Sequence, residues 1–192
     1  MKLTDQQMYA AIMELIKQKG PKFTTEDLAR KLHTSKRTIY QRFASKEQLI
    51  SQMIDFLFTD LTRRAESLKN DPSLSAYEKI EKYVRDFPST YQIGYILRYS
   101  RELERLYPKQ WQQFNQRVNE ISTTFYRILL NDAHTREMSA TEKKLLALML
   151  RKTTQILLNG DFLREQELDF WAAISAMHEI IFHGIFKAKT DK

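Results

Sequence analysis

The chain has 192 residues, of which 42% are hydrophobic and 29% charged, and its formal net charge is +7. It contains no cysteine, which excludes disulfides, thiolate metal sites and a cysteine nucleophile. Only four glycines and four prolines interrupt segments rich in Leu, Gln, Glu, Lys and Arg. This composition predicts an all-α protein with room for a small first domain and a second domain that has its own core.

Helix breakers and capping signatures predict about nine helices. The first helix covers about residues 5–19 and is ended by Gly20-Pro21. Further starts are predicted at the capping box of Thr24 and Asp27, at Thr34 or Ser35, at Ser45 and Gln48 for a long helix to about Lys69, at Asp71-Pro72, at Pro88 and at Pro108. A capping box at Ser139 and Glu142 starts a helix over about 140–158 with a stop at Asn159-Gly160, and the last helix covers about 167–186.

Residues 23–43 are the most informative stretch of the chain. They predict two short helices joined at His33, a residue that tolerates the left-handed conformation better than most. On a helical wheel, Ile39 and Phe43 share a face that points into the domain, and Arg37 and Gln41 lie roughly opposite. Such a helix-turn-helix lays its second helix in the DNA major groove, where Arg can read guanine and Gln can read adenine.

An ordinary helical hairpin with a solvated basic face would show a similar pattern. Charge distribution separates the two interpretations, because residues 1–50 hold 10 basic and 5 acidic residues whereas residues 51–192 hold 21 and 19. Most of the positive charge therefore lies beside the candidate reading helix, as expected for a DNA-binding protein.

The same stretch resembles the DNA-binding domain of TetR-type transcriptional regulators. The matching residues are Thr24-Thr25-x-x-Leu28-Ala29 and then Thr34-Ser35-Lys36-x-Thr38-Ile39-Tyr40-x-x-Phe43-x-Ser45-Lys46-Glu47-x-Leu49-Ile50, within about residues 5–55. Two positions depart from the family pattern, since His33 and Arg37 stand where glycine or small residues are common. The resemblance implies a homodimeric regulator, usually a repressor that a small molecule releases from double-stranded DNA.

The residue types and the resemblance together define candidate DNA contacts, with Thr, Tyr and Lys suited to phosphates. They are Thr25, Ser35, Lys36, Arg37, Thr38, Tyr40, Gln41 and Lys46. We expect a DNA-binding domain over residues 1–46 and an effector-binding and dimerisation domain over residues 47–192.

Aromatic residues are dense between residues 87 and 126. Tyr91, Tyr95 and Tyr99 recur every four residues and predict one stripe on one helix. Such a stripe is often plain core, but buried Tyr hydroxyls need partners and also suit a cavity with a few polar anchors. The resemblance places an effector cavity in these middle helices, so the effector is expected to be apolar or aromatic. The candidate ligand-binding residues are Tyr91, Tyr95, Tyr99, Trp111, Phe114 and Phe125.

The last two predicted helices, about 140–158 and 167–186, are apolar on more than one side. Helices of this kind are buried on more than one side, which indicates a subunit interface. The resemblance agrees, because TetR-type regulators typically pair through their last two helices.

Catalysis is not expected, and neither is a cofactor or a metal. Phosphate-binding and nucleophile motifs are missing, and His134, His178 and His183 lack the spacing of a helical metal site. With no apolar signal core and no apolar run of membrane-spanning length, the chain is expected to be soluble and cytoplasmic, without membrane contact. The alternatives are an activator, an effector-independent regulator, or a helical adaptor whose basic head binds acidic partners or anionic lipid.

Overall fold

The computed structural model of the protein describes residues 4–88, 91 and 93–183. Over those residues it is all-α, as predicted, with eleven α-helices and no strand. They are α1 (Asp5–Lys19), α2 (Thr25–Lys31), α3 (Lys36–Arg42), α4 (Lys46–Lys69), α5 (Ala76–Arg85), α6 (Ile93–Arg98), α7 (Ser100–Leu106), α8 (Pro108–Leu130), α9 (Ala140–Leu158), α10 (Asp161–Glu165) and α11 (Phe170–His183), with a 3₁₀ turn at Gly20–Lys22 between α1 and α2.

Side-chain caps set most of the helix starts. The predicted capping boxes at α2 and α9 are present, with Thr24 paired to Asp27 and Ser139 paired to Glu142. In each box the hydroxyl accepts from a backbone N–H that has no partner within the helix. Ser45 caps α4 by accepting from the backbone of Gln48. These three predictions are confirmed.

Helix α4 connects the N-terminal helices to the rest of the protein. One side of it is buried along most of its length, from Leu49 to Ala65, and it packs chiefly along α8. The main hydrophobic core is continuous across this helix, running from Met8 and Ile12 on α1 to Ile174 on α11. The three N-terminal helices therefore stand on the same core as the helices that follow.

One predicted start is wrong. The fifth helix begins at Ala76 and not at Asp71-Pro72, because Ser75 and Glu78 form a complete capping box there. Asp71 instead accepts from Ser73 within a turn. The predicted start at Pro88 leads into residues 89 and 90, which lie outside the described residues. The Pro88 carbonyl accepts from the Tyr91 amide at 3.1 Å, and α6 covers Ile93–Arg98.

The nine predicted helices become eleven because α7 is separate from α6 and α10 follows the predicted stop. That stop is confirmed, since Gly160 has φ 70° and a Cβ built on it would collide with the Leu97 carbonyl oxygen. The last helix begins at Phe170 and not at about 167, because Glu167 adopts a left-handed φ of 53°. Its predicted end near 186 lies outside the described residues.

Candidate nucleic-acid interface and effector cavity

The turn between α2 and α3 has the conformation that the sequence predicts. His33 has φ 49°, in the left-handed region, and the next amide, of Thr34, donates to the Ala29 carbonyl at 2.9 Å. Ser35 then caps α3 by accepting from the Thr38 amide. This two-helix geometry fixes the direction in which α3 leaves the turn.

Helix α3 has one buried and one exposed face. Ile39 and Phe43 are each 1% exposed and join the main core. Arg37 and Gln41 are exposed on the other side, and neither side chain makes a hydrogen bond or ion pair with another described residue. The two long polar side chains are therefore free to contact a partner, while the opposite face of α3 is packed in the core.

The candidate phosphate contacts beside α3 are tied to one another. The Tyr40 hydroxyl lies 3.2 Å from the Thr25 hydroxyl, and the Ser35 hydroxyl lies 2.9 Å from that of Thr38. All four residues belong to the rim of the exposed face. Tyr40 is 53% exposed although it is aromatic, so its ring stands beside α3 instead of entering the core.

Lys36 forms an ion pair that sequence reasoning missed. Its ammonium lies 2.8 Å from a carboxylate oxygen of Glu26 on α2. The hydrogen bond from Lys36, followed by its charge, lowers the pKa of Glu26, and the reciprocal contact raises the pKa of Lys36. A phosphate that approaches Lys36 must compete with Glu26 for the same ammonium group.

Lys46 has a different environment from the one predicted for it. Its ammonium donates to the carbonyl of Pro21 at 2.7 Å and also to the carbonyl of Phe23. It stands over the Phe23 ring, 4.2 Å from the centroid. Burial lowers the pKa of Lys46. The ammonium is thus engaged inside the protein, and this geometry favours a structural role over a phosphate contact.

A cavity of about 110 Å³ lies between α4, α5, α8, α9 and α11. Its lining is mostly aromatic and aliphatic, and it includes Phe114 and Phe125 from the predicted ligand-binding set. Trp111 stacks on Phe114 at 5.2 Å between ring centroids, but it lies outside the lining of this cavity.

The three tyrosines do not form a stripe on one helix, so that expectation is wrong. Tyr91 precedes α6 and donates to Asp60 at 2.7 Å, and Tyr99 follows α6 in a turn. Tyr95 alone is on α6, where Lys17 stands 4.8 Å from its ring centroid. None of the three lines the cavity between α4 and α11.

The cavity wall also contains residues that are not in the predicted ligand-binding set. Phe87, Trp171 and His178 all line it, and the Phe87 and Trp171 rings pack at 4.1 Å between centroids. Trp171 and His178 are seven residues apart on α11, which places them on one face of that helix. The spacing was visible in the sequence, but the facing elements that complete the cavity were not.

Helices α9 and α11 expose a row of large apolar side chains. On α9 they are Leu145, Leu148, Met149 and Ile156, and on α11 Ile180 is 56% exposed. The opposite side of α9 is buried through Leu150, Leu157 and Leu158. The expectation that α9 is apolar on more than one side is therefore confirmed. An exposed apolar row of this kind typically marks an interaction surface.

The described residues provide neither a metal site nor a membrane span. No group of three or more His, Asp or Glu side chains among them is arranged to hold a metal ion. None of the described helices combines the length and the apolar character needed to cross a bilayer.

Comparison with known proteins agrees with the geometry of the N-terminal helices. Residues 9–53 match the family model of bacterial regulatory proteins of the tetR family. Over 84 residues the chain is 34% identical to an HTH-type transcriptional regulator, YvaF, of Bacillus subtilis strain 168. That match covers 44% of this chain and 44% of YvaF, so it spans less than half of either protein.

Solved structures share the fold over almost the whole chain. FadR from Bacillus subtilis, in complex with stearoyl-CoA, superposes with a TM-score of 0.67 at 18% identity, covering 95% of this chain and 100% of FadR. PfmR of Thermus thermophilus, a TetR family transcriptional regulator, superposes with a TM-score of 0.65 at 18% identity, covering 94% of this chain and 100% of PfmR.

Proposed function

We propose that the chain is a TetR-type transcriptional regulator, a DNA-binding repressor that a small effector releases from its operator. The match of residues 9–53 to the tetR family model and the likeness to YvaF support this proposal. In this proposal residues 1–46 bind DNA, and residues 47–192 bind the effector and pair the subunits. The observation that carries the proposal is the exposed face of α3, where Arg37 and Gln41 stand opposite the buried Ile39 and Phe43.

The reading face of α3 distinguishes DNA from other acidic partners. An adaptor that binds anionic lipid needs positive charge but no ordered array of base-reading groups. Here Arg37 and Gln41 project from a capped helix whose other face is in the core. Thr25, Ser35, Thr38 and Tyr40 surround this face with hydroxyl groups that suit phosphate oxygens.

The test is selection of duplexes from a random library by the purified protein, followed by sequencing of the retained DNA. We expect an enriched, roughly palindromic sequence that is preferred over random duplex at physiological salt. Equal affinity for every duplex, with equal binding to anionic vesicles, would contradict the proposal and favour the adaptor.

Pairing through α9 and α11 follows from their exposed apolar row. Leu145, Leu148, Met149 and Ile156 would be removed from water if two copies packed these helices together about a two-fold axis. Such a dimer places two α3 helices on one duplex, which explains why a palindromic operator is expected. A folded wild-type protein that sediments as a monomer at micromolar concentration would contradict this part of the proposal.

The cavity between α4 and α11 supports an apolar or aromatic effector. It is enclosed mainly by apolar side chains such as Phe58, Phe114 and Phe125, and ligand sites are mostly apolar with few polar groups. FadR from Bacillus subtilis, which shares this fold, is described in complex with stearoyl-CoA. Helix α4 carries Phe58 and begins beside α3, so a ligand that displaces α4 would alter the position of the reading helix.

A ligand can shift this equilibrium only by binding the two arrangements of α4 with different affinities. The experiment is DNA affinity with and without a panel of apolar ligands, for wild type and for Phe125→Ala. We expect a ligand that releases the wild type to act more weakly on the variant, with the ligand-free DNA affinity nearly unchanged. Equal release of both proteins would move the effector site elsewhere.

A further inference from the structure

The effector cavity contains three polar side chains without hydrogen-bond partners. Ser122 on α8, Thr154 on α9 and His178 on α11 line it, and none of them makes a hydrogen bond with another described residue. Tyr83 also lines the cavity, but its hydroxyl donates to the Leu61 carbonyl. No Asp, Glu, Lys or Arg side chain is part of the lining that the described residues form. Polar side chains that line an apolar cavity without hydrogen-bond partners are uncommon in proteins and require an explanation.

His178 is the most constrained of the three. Burial lowers the pKa of His178 to about 4, and the nearby Glu179 carboxylate offsets this only in part. The imidazole is therefore uncharged at neutral pH, and it offers one N–H donor and one nitrogen acceptor. Leaving both unused in an apolar cavity costs stability, which a ligand group of matching chemistry would recover.

His178 also stands at the boundary between the cavity and an outer recess. The recess lies between α5 and α11, and it shares Val84 and His178 with the cavity lining. Its other residues include Glu81, Arg85 and Glu179, with Arg85 3.6 Å from Glu81. Glu179 accepts from the Tyr77 hydroxyl at 2.9 Å, so the charged side chains of the recess already have partners. The polar end of a ligand would face this side, with its apolar end among the aromatic rings.

Resting on the proposed effector cavity, we propose that the effector carries one uncharged hydrogen-bonding group, such as a hydroxyl or carbonyl, which binds at His178 with Thr154 and Ser122. An ionised group would lose its hydration in a cavity that supplies no opposite charge, and that loss is far more costly than burying a neutral polar group. The aromatic part of the cavity binds the apolar body of the same ligand.

Three probes that differ only in their polar group test this inference. They are phenylbutanol, phenylbutyrate and phenylbutylamine, measured by isothermal titration calorimetry at neutral pH on the full chain. We expect the alcohol to bind at least about tenfold more tightly than either ion. His178→Leu keeps a side chain of similar size without polar atoms, and we expect it to weaken alcohol binding by about five- to tenfold.

Thr154→Val provides a second variant with nearly unchanged shape, and we expect a smaller loss in the same direction. His183→Leu is the matched control, because His183 is on the same helix but outside the cavity lining; its affinity for the alcohol should equal that of the wild type. The inference is overturned if an ionic probe binds as tightly as the alcohol, or if His178→Leu and Thr154→Val both keep full affinity.

The same titrations separate this inference from the proposed effector site. If all three probes bind equally and release DNA, the cavity remains the effector site and only the polar anchor is wrong. If no probe binds and none releases DNA, both the anchor and the proposed apolar effector fail.

Discussion

Replacing His178 with leucine should make the protein less sensitive to acid. The imidazole lies mostly buried in the wall of the cavity, and burial lowers its pKa to about 4. In the unfolded chain a histidine has a pKa of about 6.5. Below about pH 6.5 the unfolded state therefore binds a proton that the folded state does not, so stability falls as the pH falls.

The size of the effect follows from the two pKa values. At neutral pH both states hold a neutral imidazole, and His178 contributes almost no pH dependence. At about pH 5 the titration of His178 lowers the free energy of unfolding by about 2 kcal/mol, and near pH 4 and below this contribution reaches about 3 kcal/mol. In His178→Leu this contribution disappears, while every other titrating group is retained. The free energy of unfolding of the variant, relative to the wild type, should rise by about 2 kcal/mol from about pH 7 to about pH 5.

Urea denaturation followed by far-ultraviolet circular dichroism at a series of pH values measures this difference. Protein concentration must be constant, because pairing of subunits would stabilise the folded state by mass action. Met177→Leu is a suitable control, since Met177 is the neighbouring cavity residue and does not titrate. The free energy of unfolding of Met177→Leu, plotted against pH, should run parallel to that of the wild type. A His178→Leu curve that also runs parallel to the wild type would show that the imidazole is hydrated in the folded state.

Three other predictions concern DNA binding and assembly. Arg37→Ala should weaken the free energy of binding to the selected operator by about 1–3 kcal/mol and relax the preference at one base position. Titrations with operator and with random duplex measure this, and an equal loss of affinity for both would reassign Arg37 to a phosphate contact. Lys46→Met should leave the salt dependence of DNA affinity unchanged and lower the free energy of unfolding by about 1–3 kcal/mol, because the Phe23 carbonyl loses its side-chain donor and the Pro21 carbonyl keeps only that of Tyr107. Lys36→Met should instead reduce the salt slope by about one. A reduced slope in Lys46→Met would restore its role at a phosphate. Leu148→Asp, at a position 43% exposed, should keep the helical circular dichroism signal but sediment as a monomer, and a variant that remains dimeric would remove α9 from the interface.

The helix starts that depend on local capping could be predicted from the sequence. Thr24 with Asp27 and Ser139 with Glu142 act within one helical turn, so no tertiary information is needed. The false start at Asp71-Pro72 is also a matter of local signals. Ser75 follows it closely, has Glu78 at capping-box spacing and forms the actual cap. A complete capping box prevails there because it satisfies two backbone donors at once.

The composition of the cavity could not be predicted in the same way. Tyr91, Tyr95 and Tyr99 are four residues apart, and this spacing places side chains on a common face only within one uninterrupted helix. Helix α6 covers just Ile93–Arg98. Lys46 is 25 residues from Pro21 in sequence, and local patterns do not report such contacts. Which apolar residues line a void also depends on how several helices pack, whereas periodicity shows only which side of each helix is buried.

The contacts of Lys46 have a mechanical consequence for how the N-terminal helices can move. Its ammonium joins the first turn of α4 to the carbonyls of Pro21 and Phe23, and Tyr107 at the start of α8 donates to the same Pro21 carbonyl. Three segments distant in sequence therefore meet at one joint. Rotation of α4 alone would break the charge-assisted hydrogen bonds of Lys46. We therefore expect the turn between α1 and α2 to move together with the first turn of α4. If α4 bends when the protein changes from the free to the DNA-bound form, the bend is expected beyond the first turn of α4.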